Sequence, residues 1–322
     1  MKNLAIGIDL GGTNLKGIIM DANGSGRHLT RIPTDAAKGG AVVLENILKL
    51  IGILIEKEGG SGSILGVGFG SPGFVDANGI IIGGAENLPG WKGTRVSEAI
   101  RSRFGLVSTG ANDVTVAALA ESKFGAGRGV KNMVCLALGT GIGGGIVIDG
   151  RVYKGTHGMA GEFGHIVVET GGVQCNCGLK GCVEQYASAT GIVNLARRYA
   201  RTFRGKSGLA KLIKAGGTPV TSKTVYDHVK KQDPLALKVH ETACEMLGRA
   251  CGFICNALSP DRIVLGGGVM KAGQVIVDEV KRRFSRYCWE AIAQRTDVVA
   301  AECGEDAGVL GAAALVFEEV TV

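Results

Sequence analysis

Proline is scarce in this chain, six residues of 322, and no linker or low-complexity stretch separates one half from the other. No apolar run approaches the roughly 18 residues that suggest a membrane span, so no membrane partner is expected. The sequence opens without a charged-then-apolar leader, and its nine cysteines are an odd number. A secreted disulfide framework is therefore not expected, and a reducing cytoplasm is the setting that fits. The net charge of +7 is modest. Its densest basic stretch holds Arg197, Arg198, Arg201, Arg204, Lys206, Lys211 and Lys214 with few aromatic residues among them. That spacing describes a solvated helix face, and no nucleic-acid partner is expected.

Glycine is what the chain has in excess, 54 residues, where the usual share of about 7 % would give fewer than half as many. With so little proline beside it, the glycine points to tight loops rather than disorder. A chain of this length exceeds a usual single domain, and two domains around one cleft are expected. The apolar periodicity reads as α/β alternation. Residues 4–9 form a buried strand, 10–14 a turn and 15–20 a second strand, with a third strand after a turn at 21–24. A helix is expected over 41–58, a strand over 64–70, a short helix over 94–104 and another strand near Leu106. After Asn112 and Asp113 a helix runs to about Phe124, and strands at 133–138 and 144–148 flank a glycine-rich turn. The second half is more helical, at 188–201, 221–231 and 234–258, with strands at 262–265 and 298–300 and a last helix from Asp306.

Two turns are alike. Asp9-Leu10-Gly11-Gly12-Thr13-Asn14 and Leu138-Gly139-Thr140-Gly141 each end a strand, turn on glycine and threonine, and release a second strand. Backbone N–H groups in such turns make concave donors for phosphate oxygens, and threonine hydroxyls add a further donor. One such hairpin alone is more often only a hairpin. The pair, joined by Leu265-Gly266-Gly267-Gly268-Val269 after a third strand, points to a nucleotide phosphate site. Neither turn runs into a helix, so neither is a Walker A loop or a dinucleotide fingerprint.

The stretch 161–184 gathers Glu162, His165, Cys175, Cys177, Cys182 and Glu184. Three thiolates and an imidazole are a full tetrahedral set for Zn2+, and Gly178 and Gly181 allow the turns that let the cysteines converge, with His165 as the fourth ligand. Folding around the metal would fix Glu162 and Glu184 near one point, where carboxylates can bind hydroxyls. Cys135, Cys251 and Cys255 read as ordinary buried thiols. For Asn112 and Asp113 the residues alone leave open whether they do more than cap the following helix. Asp9 could serve only to satisfy turn N–H groups, and 87–90 could be only a turn.

In order, the chain carries Asp9-x-Gly11-Gly12-Thr13, Ser71-Pro72-Gly73, Asn87-Leu88-Pro89-Gly90-Trp91 and Asn112-Asp113. The 138–144 turn, Gly161-Glu162-x-Gly164-His165, the Cys175 to Glu184 segment and Gly266-Gly267-Gly268 follow. This succession, over nearly the whole length, resembles the ROK family of repressors and sugar kinases, and within it the bacterial glucokinases. The resemblance implies an actin-like, ribonuclease-H-like α/β fold whose two domains, each with a five-stranded mixed sheet, close on ATP and a sugar. Residues 1–112 with 306–322 would form the smaller domain, and 113–305 the larger, zinc-bearing one. Asp113 would be the general base that takes the proton of the sugar 6-hydroxyl, with little need for a raised pKa because the proton can move late in a loose transition state.

The resemblance also implies that Asn112 bonds a neighbouring hydroxyl and that Glu162, His165 and Glu184 receive the others. Asn87 and the backbone at Gly73 would complete the sugar pocket. Asp9 would hold Mg2+, while Gly11, Gly12, Thr13, Asn14, Gly139, Thr140 and Gly141 hold the ATP phosphates and Gly267 and Gly268 approach the adenosine. Zinc, held by His165, Cys175, Cys177 and Cys182, would be structural, orienting His165 from one ring nitrogen while the other faces the sugar. An ATP-dependent glucokinase is the implied activity, with N-acetylmannosamine or another hexose as the alternative substrate, and a homodimer or higher homo-oligomer is the implied assembly. One departure is Val114-Thr115, where the family usually has Ala-Asn after Asn-Asp. Repressors of the family add an N-terminal helix-turn-helix, whereas the first strand here begins by Leu4, so a regulator is the lesser expectation.

Overall fold

The computed structural model describes residues 3–85 and 88–320. The chain divides into two compact units, Met1–Asn132 with Gly145–Gly161 and Glu302–Val322, and Met133–Gly144 with Glu162–Ala301. In chain order the strands are β1 (Leu4–Leu10), β2 (Asn14–Asp21), β3 (Gly26–Pro33), β4 (Ile64–Ser71), β5 (Phe74–Val75), β6 (Ile81–Gly83), β7 (Val107–Asn112), β8 (Met133–Leu138), β9 (Ile142–Ile148), β10 (Arg151–Val152), β11 (Arg262–Gly266) and β12 (Asp297–Ala300). The α-helices are α1 (Gly40–Lys57), α2 (Val96–Phe104), α3 (Asp113–Phe124), α4 (Glu184–Ala187), α5 (Ala189–Thr202), α6 (Gly208–Ala215), α7 (Ser222–Lys230), α8 (Pro234–Leu258), α9 (Gln274–Phe284), α10 (Glu290–Ala293) and α11 (Ala307–Glu319). The two five-stranded sheets share one wiring. The first runs β3-β2-β1-β4-β7 and the second β10-β9-β8-β11-β12, so in each the third, second and first strands are followed by the fourth and fifth. The antiparallel hairpin partners sit at one edge, and the parallel pairs β1–β4, β4–β7, β8–β11 and β11–β12 follow.

The first sheet shows how period-two patterning sorts its faces. Leu4, Ile6, Ile8 and Leu10 of β1 pack with Ile47, Leu50, Ile51 and Leu54 of α1 in one core cluster. Ala5, on the opposite face, joins Val116 and Leu119 of α3 and Val309, Ala313 and Val316 of α11 in another. Glycine governs that second layer. A Cβ at Gly7 or Gly68 would collide with the Val309 or Ala312 carbonyl of α11, and one at Gly311 would strike the Val116 carbonyl of α3. Backbone therefore meets backbone across β1, β4, α3 and α11, which accounts for part of the glycine excess. Asp9 lies on this same face of β1.

The second unit buries Val134, Leu136 and Leu138 of β8 and Ile263 and Leu265 of β11 under α8 and α9, with Leu247 and Cys251 of α8 and Val277 and Val280 of α9 in the same core. Pro234 sits in the first turn of α8, where its missing N–H costs nothing, and Asp233 caps the helix by accepting the Leu235 and Ala236 N–H groups at 3.0 and 3.2 Å. Cys135, Cys251 and Cys255 are buried as their settings predict. The helices α6 and α9 are structure that the sequence reading does not include.

Glu121 is 1 % exposed on the inner face of α3. Its carboxylate accepts the N–H groups of Ala126 at 2.9 Å, Glu302 at 3.0 Å and Cys303 at 2.8 Å, tying the end of α3 to the segment that leads into α11. Glu121→Ala would remove the acceptor that these three N–H groups share, and each lost partner in such a setting costs about 1–3 kcal/mol. Denaturant unfolding is expected to give a loss of at least ~3 kcal/mol; a loss within ~0.5 kcal/mol would show that water replaces the carboxylate.

Candidate active site

In the first unit, β1 ends in Asp9 and the turn at Gly11, Gly12 and Thr13 leads straight into β2, which opens on Asn14. Gly12, Thr13 and Asn14 are exposed, so their donors are open to a ligand. The turn is held from behind by Thr34, whose hydroxyl donates to the Gly11 carbonyl at 2.6 Å and whose N–H donates to the Thr13 carbonyl at 3.0 Å. A Cβ at Gly308, in the first turn of α11, would lie 2.6 to 2.8 Å from the Asp9 carboxylate, so that carboxylate rests against the start of the helix. Burial raises the Asp9 pKa, Lys16 opposes the rise, and Asp306 adds to it. Lys16 donates to the Glu305 carbonyl and pairs with Asp306 at 3.2 Å.

Asn112 closes β7 and caps α3. Its side-chain oxygen accepts the Val114 N–H at 2.9 Å, and its amide donates to the Gly73 carbonyl at 3.0 Å. Asp113 begins α3, and its carboxylate also accepts the Val114 N–H at 2.9 Å. Burial pushes the Asp113 pKa up to about 6, with the Val114 N–H pulling it down and the Asp9 charge adding to the rise. The carboxyl is thus further from its ordinary value than a late proton transfer requires. Thr115 is buried on α3. Trp91 is fully buried, and its indole N–H donates to the Ser71 hydroxyl at 2.9 Å, so the 71–73 and 88–91 segments are joined. Asn87 lies outside the described residues.

In the second unit, the turn between β8 and β9 closes with the Gly139 N–H donating to the Gly141 carbonyl at 2.9 Å, and Thr140 at its tip is exposed. Gly267 adopts φ 87°, and a Cβ there would meet the main chain of Leu138. Gly267 and Gly268 are exposed beside the 139–141 turn, where a short 3-10 helix begins after β11. Glu184, at the start of α4, accepts the Ile142 N–H at 2.9 Å. Glu162 is near both Glu184 and His165: burial raises its pKa, His165 lowers it, and Glu184 raises it further.

The ligand atoms of His165, Cys175, Cys177 and Cys182 all lie within 4.8 Å of one another. The Cys177 and Cys182 sulfurs are 3.6 Å apart, and the Cys175 sulfur is 3.7 Å from His165 Nδ1. A tetrahedral zinc with bonds of about 2.3 Å to sulfur and about 2.0 Å to nitrogen needs edges of roughly 3.5–3.8 Å; these two distances meet that, and the donor set is compatible with such an ion. His165 turns Nδ1 toward the sulfurs, and Nε2 is 3.8 Å from Glu162. Gln185 donates to the Cys175 sulfur at 3.4 Å, a contact of the kind that orients a ligand from behind.

A family model described as the ROK family matches residues 5–319. The chain belongs to the ROK family. A glucokinase from Halalkalibacterium halodurans is 38 % identical over 316 residues, covering 98 % of this chain and 95 % of its own. The ROK hexokinase from Thermus thermophilus matches with a TM-score of 0.83 at 29 % identity over 99 % of both chains. A ROK family glucokinase from Streptomyces griseus, solved in complex with glucose and AMPPNP, matches with a TM-score of 0.78 at 29 % identity over 98 % of this chain and 99 % of that one. The fold of this ROK chain is accordingly the actin-like ATPase fold.

Within each unit the expected site residues come together: Asp9, its turn, Asn112, Asp113 and Gly73 in the first, and Glu162, His165, Glu184, the cysteines and the 139–141 turn in the second. The sequence reading of this ROK chain assigns no role to Gly308, Lys16 and Asp306, which surround Asp9. The signal for Asp306 and Gly308 was the Gly304-Glu305-Asp306-Ala307-Gly308 run at the start of the last helix, a dense polar and glycine segment leading into an apolar one.

Proposed function

We propose that this ROK chain is a hexokinase-type phosphotransferase, an ATP-dependent glucokinase that moves the γ-phosphate to the 6-hydroxyl of glucose. The observation that carries the reading is the Asp113 carboxyl at the start of α3, raised to about 6 by burial, where a base working near neutral pH belongs. The similarity to glucokinases supports the sugar kinase class and, within it, glucose.

Asp113 accepts the 6-hydroxyl proton as the sugar oxygen attacks the γ-phosphorus and ADP leaves. Asn112, fixed between the Val114 N–H and the Gly73 carbonyl, bonds the adjacent hydroxyl. Glu162, His165 and Glu184 take the remaining hydroxyls. Thr13 and Thr140 with their glycine turns receive phosphate oxygens, and Gly267 and Gly268 leave room for the adenosine. Asp9 is the residue that would hold Mg2+, which when bound spreads the phosphate charge. His165, Cys175, Cys177 and Cys182 are the residues that would hold zinc, which when bound would tie down the loop that carries Glu162 and Glu184, a structural part. No helix among the described residues is long and apolar enough to cross a membrane.

The test is ADP formation with glucose, N-acetylmannosamine, mannose, fructose and no sugar, at matched concentrations with Mg2+. Glucose is expected to give the highest kcat/KM. A higher value with another sugar would move the pocket assignment while keeping the chemistry, and no turnover with any sugar would overturn the kinase reading.

A further inference from the structure

We propose that Glu184 couples sugar binding to the 139–142 turn, so that nucleotide binds more tightly once the sugar is in place. This rests on reading Glu184 as a sugar ligand and that turn as a phosphate cradle. The carboxylate of Glu184 is divided between two tasks. One oxygen, Oε2, accepts the Ile142 N–H at 2.9 Å, and a Cβ at Gly141 would collide with that same oxygen. Only a glycine at 141 lets the turn approach so closely. Oε1 is left for a hydroxyl, and a carboxylate has lone pairs enough to serve both partners.

The main chain around Glu184 is fixed. Its carbonyl accepts the hydroxyl of Ser188 at 2.6 Å, Ser188 is 1 % exposed, and the next residue, Ala189, donates its N–H to the Gly139 carbonyl at 2.8 Å. The turn is therefore tied at Gly139 by backbone and at Ile142 by a side chain. Of these ties only the side chain can rotate. A sugar hydroxyl donating to Oε1 holds the carboxylate in one rotamer and with it the Ile142 bond; without the sugar, the carboxylate is free to exchange that bond for water, and the turn loosens. Order supplied by the first ligand need not be supplied by the second, and the coupling is reciprocal. Glu184 is in this sense a positioning residue for the nucleotide as well as a contact for the sugar.

The experiment is calorimetric titration of AMPPNP with and without glucose, together with hydrogen exchange at the Ile142 amide. For the unmodified protein, glucose is expected to tighten AMPPNP on the order of tenfold, within the usual range of such couplings. Glu184→Gln keeps an acceptor for the Ile142 N–H and should retain both slow exchange and sugar-free AMPPNP affinity while losing glucose affinity. Glu184→Ala should bind AMPPNP more weakly without sugar, lose the tightening, and exchange faster at Ile142. Gly141→Ala requires no left-handed backbone and should lose the tightening while still binding glucose. Coupling near unity in the unmodified protein, or full coupling in Glu184→Ala, overturns the inference but leaves a glucokinase. Failure of the unmodified protein to bind either ligand overturns the kinase reading and the inference with it.

Discussion

Asp113→Asn is expected to lower kcat by roughly 10²–10⁴ while glucose and AMPPNP still bind, because the carboxamide keeps the oxygen that accepts the Val114 N–H but cannot take a proton. Near-normal turnover in this variant would remove Asp113 from the mechanism. The unmodified enzyme should also lose kcat/KM tenfold per pH unit below about 6, where the base becomes protonated. Stability should move in the opposite sense. A carboxyl whose folded pKa is raised from 3.8 to about 6 costs nothing at low pH, where it is protonated in both states. The cost of ionising it grows as pH rises through that window and is complete above it. A rise of this size corresponds to at most about 3 kcal/mol. Asp113→Asn should therefore unfold at higher denaturant than the unmodified protein at pH 8, and the gap should close toward pH 4. An acid limb that stays flat down to pH 5 would place the base elsewhere.

The other large effect concerns the metal. Cys182 is fully buried and its sulfur lies 3.6 Å from that of Cys177, so Cys182→Ser removes a donor from the centre of the set. Zinc content by atomic emission should fall to background. Binding free energy on the order of 10 kcal/mol in small zinc modules is folding free energy, and the loss here should appear as a lower melting temperature and a glucose affinity reduced well beyond tenfold. Sugar binding falls because His165, Glu162 and Glu184 are all held by this loop: Val167 pairs with Cys182, and the Val183 N–H donates to the Ile166 carbonyl at 2.9 Å. A metal-free variant with unchanged melting and affinity would contradict the structural-zinc reading.

The elements with one clear period were legible in the sequence. The helix expected over 234–258 agrees with α8 in full, and the one expected after Asp113 to about Phe124 agrees with α3 to one residue, because each joins a capping residue to a continuous apolar stripe. The convergence of His165, Cys175, Cys177 and Cys182 was legible because few alternatives bring three cysteines and a histidine within so short a stretch. The helix α9, Gln274–Phe284, was not in the reading: it opens after Gly273 at φ 92° with no side-chain cap, so it offers little start signal. Glu121 was invisible for a different reason. A carboxylate among Val116, Leu119 and Ala120 looks like a solvated position until the N–H groups of Glu302 and Cys303, far along the chain, are seen to reach it. The raised Asp113 pKa likewise depends on burial and on Asp9, neither of which a local motif records.

The backbone-to-backbone seam of α11 on β1, β4 and α3 also sets an order of events during synthesis. Leu10 leaves the ribosome long before Ala307, yet Gly7 and Gly68 are shaped for a helix made only after the whole of the second unit. Until then the face of the first sheet that α11 covers has only α3 to pack against it, while every strand and helix of the second unit has already been made. The nascent chain thus carries a partly exposed apolar face, of the kind that chaperones bind and that aggregates form around, and the step that covers it is the same one that brings Gly308 against Asp9.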